Sequence, residues 1–135
     1  MNTEIKHGKT GGCLCGDIRY LVTSPKRSIT YCHCSQCRRT SGHFLAGLTI
    51  AKEELVIEAD KNLEWFASSD YAHRGFCRRC GSSLFWQAKD SDEVTIMAGT
   101  LDQSDGLVEG EHIYVSDKGQ YYELTDDLPK LSKYY

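Results

Sequence analysis

The chain has 135 residues, of which 40% are hydrophobic and 26% are charged, and its net charge is -3 at pH 7. This composition is typical of a folded chain with a modest core, so it excludes an intrinsically disordered protein. The weakly acidic balance gives no electrostatic reason to expect nucleic acid as a partner. No apolar run approaches the ~20 residues that a membrane span requires, so we expect no membrane partner.

The N-terminal residues lack the apolar segment that forms the centre of a secretory signal. We therefore expect a cytoplasmic protein, in which a reducing environment keeps cysteines as thiols. The length predicts one domain, comprising residues 1–135.

Taken in chain order, the elements are short and rich in strand formers. Residues 1–10 are interpreted as a loose lead-in, and turns are predicted at 24–27, 59–62 and 68–70. A single helical turn is predicted over 35–40, ended by Gly42, with its N-terminal amides towards the neighbouring cysteines. Residues 99–111 are interpreted as a loop, and the tail 120–135 is expected to cover an open face of a sheet. Strands are predicted over 17–23, 28–32, 44–50, 54–58, 63–67, 71–76, 84–88, 94–98 and 112–115.

The sequence shows no internal repeat and no pattern for a helix longer than two turns. The predicted fold class is therefore mostly β, with short strands and at most short helical turns.

Seven cysteines fall into three clusters, and their odd number argues against a fully paired disulfide framework. In a reducing compartment, clustered cysteines indicate a metal site more often than disulfides. The clusters are Cys13 and Cys15; Cys32, Cys34 and Cys37; and Cys77 and Cys80.

The segment C-R-R-C-G at 77–81 is a zinc-knuckle type of sequence, in which Gly81 lets the backbone close. It supplies two thiolates, and the C-x-C pair between glycines upstream is the compact partner. We interpret the four as a closed structural zinc site; iron or an unmetallated pair is the alternative. Spacing alone leaves open a partition that pairs the knuckle with two of the central cysteines. The predicted ligands are Cys13, Cys15, Cys77 and Cys80.

This assignment leaves Cys32, Cys34 and Cys37. Three protein ligands are the usual number at a catalytic zinc, which keeps one position open for substrate. A histidine at the fourth position would instead make the site structural, and spacing does not separate the two hypotheses. The candidate histidines are His33, His43 and His73.

Five arginines lie beside the cysteines in sequence, and we interpret them as charge compensation for anionic metal–thiolate centres. One or two could also bind the carboxylates of an anionic substrate, because guanidinium binds carboxylate through two parallel hydrogen bonds. Four aromatic residues are expected in the core or in a pocket wall. The arginines are Arg38, Arg39, Arg74, Arg78 and Arg79; the aromatic residues are Trp65, Phe66, Phe85 and Trp86.

Three segments carry a specific resemblance: G-G-C-L-C-G-D-I-R-Y at 11–20, Y-C-H-C-S-Q-C-R-R-T-S-G at 31–42 and R-G-F-C-R-R-C-G-S-S-L at 74–84. In order, spacing and flanking glycines they resemble the glutathione-dependent formaldehyde-activating enzyme family, which includes the domain of centromere protein V. The resemblance extends over about 11–129 and implies a β-tent fold, with small twisted β-sheets around zinc.

By this resemblance the set of four cysteines matches the structural zinc ligands of the family. Cys32, Cys34 and Cys37 match its catalytic zinc ligands, so two zinc ions per chain are expected. The chain departs from the family at Tyr121 and Tyr122, where tryptophan is common.

The resemblance implies the condensation of formaldehyde with glutathione, a carbon–sulfur lyase reaction in reverse. We hypothesise a zinc-dependent enzyme that adds a zinc-activated thiol, glutathione, to a small aldehyde. His33 and His43 are candidates for relaying the proton. The alternative hypothesis is a non-catalytic zinc-binding module for protein interaction or thiol sensing.

Overall fold

The computed structural model describes residues 8–24 and 28–134. Within these residues the chain forms ten short strands and one α-helix, with three 3₁₀ turns at Lys52–Glu54, Ala98–Thr100 and Val115–Asp117. The helix α1 (Ser35–Ser41) lies between the third and fourth strands. The strands are β1 (Lys9–Gly12), β2 (Ile18–Val22), β3 (Ser28–Cys32), β4 (Leu45–Ala51), β5 (Leu55–Asp60), β6 (Leu63–Ala67), β7 (Ala72–Cys77), β8 (Ser83–Ala88), β9 (Glu93–Met97) and β10 (Val108–Ile113).

These strands form two twisted sheets, which confirms the prediction of a mostly-β fold with one short helix. The smaller sheet has the antiparallel order β1-β2-β5. The larger has the order β10-β3-β4-β9-β8-β7-β6, and in it only β10 and β3 are paired in parallel among the described strands. No helix in the described part of the chain is long and apolar enough to cross a membrane.

The main hydrophobic cluster joins the two sheets. Strand β2 alternates buried and half-buried residues, as a strand with one face on a core does. Its buried Tyr20 packs edge-to-face on Phe85 of β8, with ring centroids 5.5 Å apart, and its hydroxyl bonds Thr100. A Cβ on Gly11 would lie 2.4 Å from the Tyr20 ring, so the close approach of β1 requires glycine there.

A second, smaller cluster lies on the opposite face of the β7–β8 region. Successive side chains of a strand point to opposite faces, so Phe85 enters the main cluster and Trp86 packs against the second one. The second cluster is built on Cys37, Leu45 and Met97. One face of the larger sheet therefore packs on the main core, and its other face packs against the helix α1.

Several predicted boundaries differ from the structure, three of them by two residues or more. β1 begins at Lys9 inside the predicted lead-in, because its backbone pairs with β2 although its polar, glycine-rich sequence carries no strand pattern. β10 covers Val108–Ile113, most of it in the predicted loop, and a register shift between Glu109 and Glu111 interrupts its alternation. The turn predicted at 59–62 was placed two residues too early, since β5 extends to Asp60. The remaining lead-in, 1–7, and most of the predicted 24–27 turn lie outside the described residues.

The aromatic prediction holds for Phe85, which is fully buried, and for Trp86, which packs on the second cluster. It is wrong for Phe66, which is 58% exposed, and Trp65 is only partly covered because 39% of it is exposed. The reason is position, because both lie on β6, at the edge of the larger sheet, where one flank has no neighbouring strand.

Candidate metal centres

The first cysteine cluster joins the N-terminal end of the chain to the β7–β8 hairpin. Cys13 and Cys15 follow β1, and Cys77 and Cys80 lie at the tip of the hairpin, as the sequence predicted. Gly81, with φ of 83°, closes the knuckle by donating its N–H to the carbonyl of Cys77 at 2.7 Å. The four sulfurs all lie within 4.8 Å of one another, although 62 residues separate Cys15 from Cys77.

The spacing of these sulfurs fits a tetrahedral ion. With Zn–S bonds of about 2.3 Å, ligand sulfurs at tetrahedral positions lie about 3.8 Å apart. The Sγ of Cys15 is 3.6 Å from that of Cys13 and 3.8 Å from that of Cys77. All seven cysteines are free thiols, so no disulfide competes with metal binding.

Hydrogen bonds around the first cluster favour thiolates. The N–H of Ile18 donates to the Sγ of Cys13 at 3.3 Å, and the N–H of Cys80 donates to the Sγ of Cys77 at 3.4 Å. The hydroxyl of Ser82 lies 3.2 Å from the Sγ of Cys80 and lowers the pKa of that thiol to about 5. Donors that stabilise the charged form prepare these ligands for a cation.

The second cluster is local in sequence and is built by the junction of β3 with α1. Cys32 ends β3, Cys34 is the N-cap of α1 and Cys37 lies buried in the first helical turn. Gly42 ends the helix with φ of 89°, and its N–H donates to the carbonyl of Arg38 at 2.8 Å. The three sulfurs lie within 4.8 Å of one another, which fits three ligands of one ion.

Hydrogen bonds from the two neighbouring thiols, and then from the helix start, explain why the thiol of Cys34 ionises easily. The thiols of Cys32 and Cys37 and the backbone N–H groups of the first turn donate to the Sγ of Cys34, which lowers its pKa to about 2. The N–H of Cys37 makes one of these contacts, at 3.4 Å. This agrees with the predicted direction of the helix amides, which favour a negative charge at the N-terminal end.

Within the described residues, the second cluster has three potential ligand atoms and no fourth from His, Cys, Asp or Glu. The three candidate histidines are engaged elsewhere. His33 is fully buried, and both of its ring nitrogens have other partners. His43 bonds the hydroxyl of Tyr121 through Nδ1, and His73 lies edge-to-face against Trp65. The geometry therefore favours the hypothesis of an open site over that of a closed one.

A buried chain of hydrogen bonds keeps His33 away from the cysteines on either side of it. Its Nε2 is 2.8 Å from Nδ1 of His112, and its Nδ1 is 2.6 Å from the hydroxyl of Tyr122. His112 in turn lies 2.9 Å from the carboxylate of Asp126 through Nε2. Burial lowers the pKa of His33 to about 4, and the hydrogen bond from His112 lowers that of Asp126 to about 2.

With both histidines neutral, the ionised Asp126 determines the direction of each hydrogen bond. The carboxylate can only accept, so a neutral His112 donates from Nε2 and accepts at Nδ1. His33 then donates from Nε2 to His112 and accepts the Tyr122 hydroxyl proton at Nδ1. Because the Tyr122 hydroxyl donates its proton to His33, its oxygen can only accept any further hydrogen bond.

Arg74 is the arginine that lies closest to the second cluster. It is 5% exposed, and its Nη2 lies 3.8 Å from the Sγ of Cys37. Its Nε and Nη1 are buried and have no hydrogen-bond partner. In register it lies between Phe66 of β6 and Trp86 of β8, on the face that carries Cys37.

The other arginines of the sequence prediction lie at the surface or its margin. Arg79 pairs with Asp17 at 3.4 Å and Arg78 donates to Asn62, both beside the first cluster. Arg38 follows the second cluster and donates from Nε to the carbonyl of Asp117 at 3.0 Å. It also borders an open pocket of about 640 Å³. The pocket is lined by Arg38, Lys118, Gly119, Gln120 and Tyr121.

Sequence reasoning missed the partners of His33. These partners all lie 79 or more residues from His33 in the chain. Two of them, His112 and Tyr122, bond His33 directly, and Asp126 bonds His112. One signal was available for His112, because it lies at the start of a predicted strand, where alternate side chains face a core. Asp126 carries no such signal, since its contact depends on the path of the tail.

Comparison with known proteins places these clusters in a family. Residues 8–117 match the family model for the glutathione-dependent formaldehyde-activating enzyme. A protein of Schizosaccharomyces pombe, named as an uncharacterized lyase, is 25% identical over 117 residues, covering 86% of this chain and 85% of that protein. A Halomonas elongata protein, provisionally named as a glutathione-dependent formaldehyde-activating enzyme, is 30% identical over 83 residues, which are 56% of this chain and 53% of that protein.

A solved structure supports the architecture. A crystal structure of a Rhodobacter sphaeroides protein aligns with a TM-score of 0.56 at 24% identity, covering 69% of this chain and 87% of that one. At this identity the likeness shows the fold. The family match covers most of the chain and contains all seven cysteines of the two clusters. The chain therefore belongs to the glutathione-dependent formaldehyde-activating enzyme family.

Proposed function

We propose that this chain is a zinc-dependent carbon–sulfur lyase-type enzyme that adds the thiol of glutathione to a small aldehyde such as formaldehyde. In reverse, the same enzyme breaks the carbon–sulfur bond of the adduct. One observation carries the proposal: Cys32, Cys34 and Cys37 converge with no fourth ligand atom among the described residues. Three protein ligands and one open position are typical of catalytic zinc.

The two clusters have different roles in this proposal. Cys13, Cys15, Cys77 and Cys80 hold a structural zinc, and Cys32, Cys34 and Cys37 hold a catalytic zinc. One hydrophobic cluster includes residues of both sheets, so we infer that a single domain carries both centres. When bound at the three-cysteine site, zinc supplies a positive charge that lowers the pKa of a substrate thiol.

The residues around the three cysteines suit an anionic thiolate centre. Three thiolates and one divalent ion have a formal net charge of -1, and the guanidinium of Arg74, 3.8 Å from the Sγ of Cys37, offsets it. The hydrogen-bond chain through His112 keeps the ring of His33 from binding the ion, which preserves the open position. His33 is thus a positioning residue in this proposal.

The pocket beside Arg38 suits the body of a peptide thiol. Arg38 and Lys118 give it positive charge, and glutathione carries two carboxylates. Arg38 lies one residue after Cys37, so the pocket borders the helix α1 that carries Cys37 and is capped by Cys34. A substrate held there by its carboxylates would have its thiol restricted to a small volume, which accelerates a bimolecular addition.

Spectroscopy of cobalt-loaded protein tests the binding step. Protein carrying Co²⁺ at both clusters is titrated with glutathione and, as a matched control, with S-methylglutathione, which keeps the carboxylates and has no thiol. Glutathione is expected to add thiolate-to-cobalt absorption at one of the two ions, and the methylated ligand is expected to add none. Identical spectra with both ligands would contradict the proposal.

Exchange NMR with ¹³C-formaldehyde tests the chemical step. The addition also occurs without enzyme, so the measured quantity is the rate of exchange between free formaldehyde and its glutathione adduct. The protein is expected to increase this rate in proportion to its concentration, and Cys34→Ser is expected to abolish the increase. A Cys34→Ser protein with the full rate and full metal content would refute the proposed site.

A further inference from the structure

Arg74 has more hydrogen-bonding capacity than its surroundings use. Only three polar or charged residues are buried in the described part of the chain, and two of them, His33 and His112, are bonded through both ring nitrogens. Arg74 is the third, with two buried nitrogens that have no partner. Each buried donor left unsatisfied costs about 1–3 kcal/mol, so the arrangement is selected for something that accepts these bonds.

The place of Arg74 limits what that acceptor can be. Its guanidinium contacts the Sγ of Cys37. Arg74 also lies opposite Trp86 of the neighbouring strand, on the same face of the sheet, and Trp86 packs against the cluster that contains Cys37. A sulfur bound at the open position of a tetrahedral site would lie about 3.8 Å from each cysteine sulfur. The guanidinium that carries the unused N–H groups therefore borders the cluster at which such a sulfur would bind.

We propose that Arg74 binds the aldehyde oxygen and stabilises the negative charge that develops on it, an inference that rests on the proposed function. The substrate sulfur gives a lone pair to the carbonyl carbon and forms the carbon–sulfur bond. The π pair of the carbonyl moves to the oxygen, which Arg74 holds as an alkoxide. That oxygen then takes up the proton that the thiol released, so thiol and aldehyde combine with no other reactant.

A second possible acceptor, a carboxylate of glutathione, fits Arg74 less well. Those carboxylates lie several bonds from the thiol, and the open pocket beside Arg38 and Lys118 offers them solvent-exposed cations. Arg74 is 95% buried against a ligand sulfur, where a small oxygen atom fits better than the end of a peptide. Charge balance with the thiolates explains the cation but leaves Nε and Nη1 unused.

Anion binding tests the site without turnover. Formate has the size of formaldehyde and places an anionic oxygen where the alkoxide would form, so its dissociation constant is measured by calorimetry on the metal-loaded protein. Arg74→Met is expected to weaken formate binding at least 10-fold and Arg74→Lys to weaken it less. Arg78→Met, which removes an exposed arginine, is expected to bind formate as the unaltered protein does.

Kinetics test the role in the reaction. Loss of one donor to an oxyanion costs about 10²–10³ in rate, so Arg74→Met is expected to lower kcat/KM for formaldehyde by at least about 100-fold. Metal content and the affinity for glutathione alone are expected to change less than about 3-fold in Arg74→Lys. In Arg74→Ala, added guanidinium is expected to restore part of the rate, whereas Arg74→Met fills the space and is expected to show no rescue.

Two results would overturn the inference. The first is Arg74→Met protein with both metals bound and unchanged formate binding and kcat/KM. The second is a loss of metal from the three-cysteine site in Arg74→Lys and Arg74→Met alike, which would assign Arg74 to holding the cluster together through packing and its contact with Cys37. If the unaltered protein binds formate through Arg74 but does not accelerate the formaldehyde exchange, the proposed function fails while the oxyanion site stands.

Discussion

The two cysteine clusters use the same ligand in opposite ways. The four-cysteine cluster joins segments that are 62 residues apart and has as many sulfurs as a tetrahedral ion needs. The three-cysteine cluster spans six residues around one helix start and has no fourth candidate ligand atom among the described residues. A long-range, closed set of ligands stabilises a fold, whereas a short-range, open set adds little to the fold and is free to serve chemistry.

The arginines beside the two clusters also differ in how fully their hydrogen bonds are used. Beside the four-cysteine cluster, Arg78 and Arg79 are exposed and paired with Asn62 and Asp17, so their bonds are satisfied. Beside the three-cysteine cluster, Arg74 is buried with two nitrogens unused. Among the described residues, buried side-chain nitrogens without a partner thus occur only beside the cluster that has three candidate ligands, and this coincidence is what points to a substrate.

The largest expected effect is the loss of the fold when the closed cluster is broken. Cys77→Ser removes a buried ligand that ties the hairpin to the N-terminal segment, so the free energy of unfolding is expected to fall by at least about 4 kcal/mol. Urea titration of the zinc-loaded protein measures this. If the loss is below about 1 kcal/mol, the closed cluster is not what holds the fold.

The matched change in the open cluster is expected to separate activity from stability. Cys34→Ser should reduce bound zinc from two ions to one and lower the formaldehyde exchange rate at least about 100-fold. The free energy of unfolding is expected to change by less than about 1 kcal/mol, because the cluster closes no long loop. Elemental analysis, exchange NMR and urea titration give the three values. If Cys34→Ser lowers the free energy of unfolding as much as Cys77→Ser does, the two clusters do not differ in their contribution to stability.

Gly11, two residues before Cys13, tests how much tight packing beside the four-cysteine cluster contributes to stability. A Cβ at Gly11 would lie 2.4 Å from the ring of Tyr20 and 2.6 Å from the carbonyl of Thr100, so Gly11→Ala is expected to destabilise by about 1–3 kcal/mol. Gly99→Ala is the control, since a Cβ there would have nothing within 4 Å. Thermal unfolding measures both, and equal melting temperatures would show that β1 can shift without cost.

The smallest expected effect concerns acid stability near the open cluster. The hydrogen bond from His112 lowers the pKa of Asp126 from 3.8 to about 2, so the ionised carboxylate stabilises the fold. That stabilisation is fully present above about pH 4 and is lost as the pH falls through about 2. The stability difference between the unaltered protein and Asp126→Asn is therefore expected to be constant above pH 4 and to shrink below it. Urea titrations at several pH values measure it, and a constant difference down to pH 2 would contradict this account.

Patterns among neighbouring residues were enough to predict most of the fold and both sets of candidate ligands. The alternation in β2 and the helix stop at Gly42 are properties of adjacent residues, so they were visible in the chain. Most of strand β10 was not visible, because Gly110 and the register shift interrupt its pattern and its partner β3 is about 80 residues away in the chain. Phe66 was misplaced for a similar reason, since its burial depends on which strand lies at the sheet edge.

By itself the sequence determined which atoms could bind a metal, because cysteine spacing of two or three residues brings sulfurs together whatever the rest of the chain does. Tertiary structure decided which clusters meet, that His33 is held by His112, and that Arg74 lies against Cys37. Those contacts join residues separated by 37 to 79 positions. Only the packing of sheets and tail brings such residues within bonding distance, and no local pattern encodes that distance.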